Sequence, residues 1–314
     1  MKTPMPESPL RIGTRGSPLA LAQAHETRSR LMAAWDLPED AFEIAVISTA
    51  GDRIQDRALR EVGGKGLFTR EIEEQLSDGG IHIAVHSMKD MPTLQPEGLV
   101  IDCLLEREDP RDAFVSHAHG GIAALPEAAV VGTSSLRRRA QLLHRRPDLR
   151  VVEFRGNVQT RLRKLEDGVA EATFLAMAGL RRLGLEHVAR GPVETSDMLP
   201  AMAQGCIGIE RRAEDRDVAA LLEPLNHPET ATRLAAERAC LERLDGSCET
   251  PIAGLAHLEG GTIRLRAEVL RPDGTDVIAE EVTADAEDAA ALGAEVGATL
   301  LGRAPVGFFD WREG

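Results

Sequence analysis

The chain has 314 residues, beyond the size at which one hydrophobic core usually stops growing, so two or three domains are expected. Hydrophobic residues make up 43% of it, ample for folded cores, and no stretch approaches the 18 apolar residues of a membrane span. A net charge of −14 argues against a general nucleic-acid binder, and the absence of Tyr leaves few stacking platforms for single strands.

The opening MKTPMPESPLRIG has no apolar h-region, so no secretory signal is expected. LRIGT (10–14) reads as a strand, and 17–35 as a helix with Ser17 as N-cap and Pro18 at its first position. FEIAVIST (42–49) is a strand. The polar, glycine-bearing stretch 50–66 is long for a connection and is expected to be functional or mobile. Residues 66–80 form an amphipathic helix ending in glycines, and IHIAVHS (81–87) and LVIDCLL (99–105) are strands. A second series starts near Asp112: DAFVS, VVGT, LRVVEF and EATFLA are strands, and SSLRRRAQLLHRR, VQTRLRKLED and MAGLRRLGL are helices. Strands alternating with helices imply mostly parallel sheets covered on both faces. QGCIGIERR (204–212) adds one strand. The last third changes character: a helix over 228–246, two alternating strands, TIRLRAEVL and DVIAEEVT, joined across the turn signal RPDGT, and a final helix over about 285–302.

Candidate site residues gather at the turns that follow strands. Gly13-Thr14-Arg15-Gly16-Ser17 and Gly132-Thr133-Ser134-Ser135 both leave a strand and open a helix, a geometry that offers free backbone N–H groups to an anion. Arg137 and Arg138 fall in the first turn of the second such helix, where the dipole disfavours cations, so a bound anion is expected to neutralise them. Arg155 and Arg161 repeat the idea in RGNVQTR, with Asn157 as a cap, and Arg182 follows EATFLA. From Arg137 to Lys164 ten Arg and Lys stand against Asp148 and Glu153, a window of +8 in a chain that is otherwise −22. Guanidinium forks suit carboxylates, so the ligand is expected to carry several of them. Only four lysines accompany 33 arginines, and two, Lys65 and Lys89, lie in glycine-rich or loop motifs; a need for a compact ammonium is one reading of this, chance retention the plainer alternative.

Asp90 directly follows the strand IHIAVHS and Lys89. An acid at a strand end among arginines fits a general acid or base, or a counter-charge to a cationic intermediate; a structural turn Asp is the plainer alternative. Cys248, in the Gly-Ser loop LDGSCETP, is the cysteine expected to be exposed and reactive, whereas Cys103, Cys206 and Cys240 read as core. No cysteine pair has CxxC spacing, in keeping with reduced thiols in a cytosol. His117 and His119 lack a third ligand in register, so no metal is expected. His82 and His86 share one strand and are expected to pack or cap.

RIGTRGSPLALAQA, VGGKGLFTREIEEQL, AVHSMKDMP, VGTSSLRRRAQLL, FRGNVQTRL, LAMAGLRRLGL, QGCIGIE and LDGSCETPIAG stand in an order and spacing that resemble the hydroxymethylbilane synthase (porphobilinogen deaminase) family over nearly the whole chain. The resemblance implies an α/β fold: two domains like type 2 periplasmic binding proteins around a cleft, plus a small C-terminal α+β domain. The boundaries expected are 1–105 with 205–225, 106–204 and 226–314. It implies a transferase of tetrapyrrole and heme biosynthesis that condenses four porphobilinogen molecules on a dipyrromethane cofactor, attached through a thioether at Cys248. Asp90 matches the catalytic aspartate. Arg15, Ser17, Lys65, Lys89, Arg137, Arg138, Arg155, Arg161 and Arg182 match positions that hold acetate and propionate groups, with Ser135 beside the cofactor and Gln204 lining the cleft. The stretch 50–66 matches a mobile lid, in which Glu61 stands where Lys is common. A cytoplasmic monomer without nucleic-acid or membrane partners is implied. The competing reading is a non-enzymatic, two-lobed binding module for a polycarboxylate.

Overall fold

The computed structural model describes residues 3–53, 69–244 and 250–312. The chain divides into two compact units: Met1–Glu108 with Cys206–Ala231, and Asp109–Gly205 with Thr232–Gly314. The second contains two sheets, one built from 109–205 and one from the C-terminal third.

The first unit is a five-stranded sheet in the order β2-β1-β3-β10-β4, where β1 is Leu10–Thr14, β2 Phe42–Val46, β3 Ile83–Ser87, β4 Leu99–Leu104 and β10 Ile207–Arg212. The first three strands are parallel, and β10 runs antiparallel between β3 and β4. Alternation sorts the strands into two faces. Ile83, Val85, Ile207 and Ile209 join Ile12 and Leu31 in the core under helix Pro18–Trp35. Ala84 turns the other way, to Ile72 and Leu76 of helix Arg70–Ser77. That helix is shorter than the 66–80 expected; its remaining N-terminal part, 66–68, lies outside the described residues. Ser17 caps its helix as expected, its hydroxyl accepting from Ala20 N at 3.3 Å, with Pro18 following.

The second unit repeats the plan. Its sheet runs β7-β6-β8-β5-β9, with β5 Asp112–Val115, β6 Val130–Gly132, β7 Arg150–Val152, β8 Ala172–Ala176 and β9 Gly191–Pro192. Strands β6, β7 and β8 are parallel, but β5 is antiparallel to both β8 and β9. Both sheets are therefore mixed: each has a returning strand that the alternating pattern does not distinguish from the parallel ones. Helix Leu136–Arg145 is capped by Ser135, and Val158–Glu166 by Asn157.

The C-terminal sheet is a meander, β11-β12-β13, of Ile252–Glu259, Thr262–Leu270 and Val277–Asp285. Helices Pro228–Arg243 and Ala289–Arg303 cover one face, burying Ala236, Cys240, Leu292 and Val296 against Ile263, Leu265 and Ala267. The hairpin β12-β13 was expected; β11 was not, because IAGLAHLE mixes small and polar residues without clear alternation. The turn at Gly274, with φ +77°, reaches helix Leu136–Arg145, where its carbonyl lies 3.0 Å from His144 Nδ1.

Candidate active site

In the first unit the site is built where β3 ends. Ser87 leaves the strand, and Met88–Asp90 form a single 3₁₀ turn closed by a Met91 N–H to Met88 carbonyl bond of 3.2 Å. Met88 is buried beneath the turn, Lys89 is half-buried, and Asp90 is exposed. The turn is seated from below by β10: the Met88 N–H donates to the Cys206 carbonyl at 3.0 Å, and Met88 packs where Gly208 leaves room. From the side, Gln23 Nε2 donates to Ser87 Oγ at 2.8 Å, tying helix Pro18–Trp35 to the strand end. Asp90 then shares one cavity with Arg15, Ser17, Gln23, Thr69, His86 and Ser87. Asp90 is thereby brought together with Arg15 and Ser17, which lie more than seventy positions earlier and were also flagged from sequence.

Behind that cavity lies a pair that sequence reasoning missed. His86 Nε2 is 2.9 Å from Glu210 Oε2, and both side chains are buried. Glu210 Oε1 has no hydrogen-bond partner. Burial pushes the neighbouring Glu73 carboxyl up, and the charge of Glu210 adds to that. The signal available was an acid in the apolar strand IGIE. His82 caps instead, its Nδ1 accepting from Arg11 N at 2.9 Å, just before β3 begins.

In the second unit Arg137, Arg138 and Gln204 meet around a residue that was not singled out, Asp112, while Ser135 caps the helix that carries the two arginines. Arg137 Nη1 donates to Asp112 Oδ2 at 2.7 Å and to the Leu199 carbonyl at 2.8 Å. Arg138 donates to Asp112 Oδ1 through Nη2 at 2.7 Å and Nε at 3.1 Å, and to the Phe174 carbonyl at 2.7 Å. Both arginines are only 5% exposed, and Asp112 is fully buried. Burial alone would push the Asp112 carboxyl up, but the two guanidinium groups outweigh it and hold it well below the usual carboxylate range. A bound anion was expected as their partner; the structure instead sets the buried Asp112 carboxylate between the two guanidinium groups, and the charge of Glu268 also reaches Arg137. Gln204 joins the same network. It is 1% exposed, and its amide donates to the Pro110 carbonyl at 2.8 Å and Asp112 Oδ1 at 3.0 Å, which steadies the clamp.

The other arginines lie at the rims of the same unit. Arg182 ends helix Met177–Arg182 and donates to the Gly205 carbonyl at 3.1 Å. Arg161 Nε donates to the Gly156 carbonyl at 2.9 Å. Arg155 is half-buried with Nη1 fully enclosed and without a hydrogen-bond partner. The enclosed, unpartnered Nη1 of Arg155 is a donor that fits a carboxylate. Lys65, Cys248, Glu61 and the stretch 54–66 of the expected lid lie outside the described residues; Ala50–Arg53 form a short helix. Among the described residues no three His, Cys, Asp or Glu gather as a metal site. His119 pairs with Glu171 at 3.2 Å. Cys103 and Cys240 are buried thiols whose pKa values burial pushes up to about 12.

Comparison with known proteins adds the family. The model of the porphobilinogen deaminase dipyromethane cofactor binding domain matches residues 10–220, and that of the porphobilinogen deaminase C-terminal domain matches 231–302. A porphobilinogen deaminase from Paracoccus denitrificans (strain Pd 1222) is 68% identical over 308 residues, 98% of each chain. Among solved structures, the methionine binding protein MetQ aligns with a TM-score of 0.45 at 13% identity, covering 72% of this chain and 93% of its own. A nutrient binding protein from Burkholderia cenocepacia bound to methionine gives 0.42 at 13%, covering 70% and 93%. Both scores are low, and the α/β architecture rests on the chain's own sheets. Two family models in register and a relative identical at two positions in three place this chain in the porphobilinogen deaminase family.

Proposed function

We propose that this chain catalyses the hydroxymethylbilane synthase reaction, deaminating four porphobilinogen molecules, joining them head to tail on a dipyrromethane primer held by Cys248, and releasing the linear tetrapyrrole by hydrolysis. The observation that carries the reading is Asp90: an exposed carboxylate on a buried, strand-anchored turn, in a cavity it shares with Arg15 and Ser17. There it moves the proton at the aminomethyl nitrogen. As the C–N bond breaks, the electron pair leaves with ammonia, and the carboxylate charge stabilises the cation left on the pyrrole. Bond formation to the next ring then releases the pyrrole α-proton. Each porphobilinogen brings two carboxylates, so several cations are needed to hold and orient the growing chain.

Arg15, Ser17, Lys65, Lys89, Arg155, Arg161 and Arg182 are assigned to substrate carboxylates. Ser135, Arg137 and Arg138 are assigned to those of the dipyrromethane group, with Lys89 and Asp90 beside it and Gln204 acting through Asp112. The convergence of Arg137 and Arg138 on one carboxylate and the unpartnered Arg155 Nη1 support this division. When bound, the dipyrromethane group supplies the free pyrrole carbon from which the chain grows. Cys248 holds it through a thioether, the thiol sulfur replacing the ammonia of the first unit. We further propose a monomer acting in the cytoplasm on a small molecule alone, without nucleic-acid or membrane partners; no described helix is long and apolar enough to cross a membrane.

The test is the intact mass of the denatured protein beside a Cys248→Ser variant. An added mass of two deaminated porphobilinogen units in the wild type, absent from the variant, is expected. A wild type that carries no such mass, and gains none on incubation with porphobilinogen, overturns the reading in favour of a polycarboxylate-binding module.

A further inference from the structure

Glu237 sits on helix Pro228–Arg243 inside the C-terminal core and is completely buried. A carboxylate is costly there unless donors satisfy it. Two backbone N–H groups do so from different parts of the unit: Ala256 of β11 donates to Oε1 at 2.8 Å, and Ala203 donates to Oε2 at 2.5 Å. Ala203 has φ +61°, a left-handed conformation that a residue with a Cβ adopts only when something holds it.

The residues on either side of Ala203 touch the arginines. Its neighbour Gln204 bonds Asp112 Oδ1, the oxygen shared with Arg138. The Gly205 carbonyl accepts from Arg182. Upstream, the Leu199 carbonyl accepts from Arg137 Nη1 at 2.8 Å and from Gln141 Nε2 at 2.9 Å. We infer that Glu237 is a positioning residue for the arginine cluster: by pinning Ala203 in its left-handed shape it sets the 199–205 loop, and through Gln204 and Asp112 it fixes where the Arg137 and Arg138 guanidinium groups sit. The helix that precedes the Cys248 loop thus sets the geometry of the cations assigned to the group Cys248 carries. The role assigned to those cations rests on the reaction proposed above; the loop geometry does not.

A purely structural Glu237, sealing the C-terminal core, is separated from this one by Ala203. Glycine adopts positive φ without the Cβ penalty, so Ala203→Gly lowers the need for the carboxylate at the loop but does nothing for β11. Three proteins, Glu237→Gln, Ala203→Gly and the double variant, are compared with the wild type by hydrogen exchange of peptides spanning 199–205, by intact mass for cofactor loading, and by steady-state kinetics. In Glu237→Gln we expect exchange at 199–205 to rise at least tenfold, the loaded fraction to fall severalfold, and KM for porphobilinogen to rise about tenfold with kcat changed less than KM. The double variant is expected to recover most of all three. Equal exchange in Glu237→Gln and wild type, or losses that the added glycine leaves untouched, would overturn the inference. If the wild type itself neither loads nor turns over, the proposed reaction fails, and the exchange comparison still decides the role of Glu237.

Discussion

Two buried guanidinium groups and the Gln204 amide converge on Asp112. Removing one partner of such a cluster is worse than never having built it, because the others stay buried without compensation. Asp112→Asn keeps the shape and deletes the charge; it is expected to cost about 3–5 kcal/mol in urea unfolding at neutral pH. The pH dependence has a definite sign. The folded-state pKa is depressed below the roughly 4 of an unfolded Asp, so the contribution is complete above about pH 4 and is lost as the pH falls towards the folded value. The gap between wild type and variant is therefore expected to be flat from about pH 8 to about pH 5 and to narrow on further acidification. A gap that instead changes between pH 8 and pH 5 would locate the titrating group elsewhere. Sequence reasoning found Arg137 and Arg138 by their misfit with the helix dipole. It missed Asp112, because the first residue of a strand gives no sign of which side chain it will meet 25 positions on.

At the scale of elements, legibility followed whether the information is local. Caps at Ser17, Ser135 and Asn157, the β12-β13 hairpin and the strand-turn-helix units are written in neighbouring residues, and all are present. Strand direction is not local: β5 and β10 read like their parallel neighbours, and only the sheet order reveals that they return antiparallel. Of the candidate site, Arg15, Ser17 and Asp90 were readable from motifs, whereas His86 with Glu210 and Glu237 with Ala203 needed the tertiary fold. The turn that carries Asp90 shows how an element far in sequence can matter. Gly208 of β10 faces Met88; a Cβ there would overlap the Met88 side chain and crowd Ile101. Met88 is 2% exposed and has little room to yield. Gly208→Ala is expected to cost about 1–3 kcal/mol by overpacking and to lift the Met88–Asp90 turn. Because the lifted atoms bear the carboxylate proposed to move the proton, kcat is expected to fall by more than an order of magnitude, with KM changed less. A compensating Met88→Ala in the same chain should restore part of kcat; unchanged turnover in Gly208→Ala would show that the turn does not rest on that contact.

For the molecule as a whole, charge poses a contradiction that its placement resolves. A chain of net charge −14 is proposed to bind a substrate with two carboxylates, and then three more such substrates in turn. Long-range repulsion is weak in the cell, where charges beyond a screening length of about 8 Å are largely hidden. Contact pairs decide instead: opposite charges about 4 Å apart at an effective dielectric near 20 interact by roughly 4 kcal/mol. Concentrating cations in the 137–164 window, several of them folded against internal partners, leaves local positive sites on an acidic protein. The two contributions respond differently to added ions. Chloride screens the net charge and the exposed arginines alike, in opposite senses for an anionic substrate, so KM is expected to change no more than about threefold between about 0.05 and 0.3 M potassium chloride. A tricarboxylate such as citrate, at matched ionic strength, competes for the guanidinium forks themselves. It is expected to raise KM at least tenfold more than chloride does, leaving kcat in place, and to lose that advantage in Arg155→Gln, where the unpartnered nitrogen is gone. Equal effects of citrate and chloride would mean that the arginines act only through the overall field, and that carboxylate-by-carboxylate binding is the wrong description of this site.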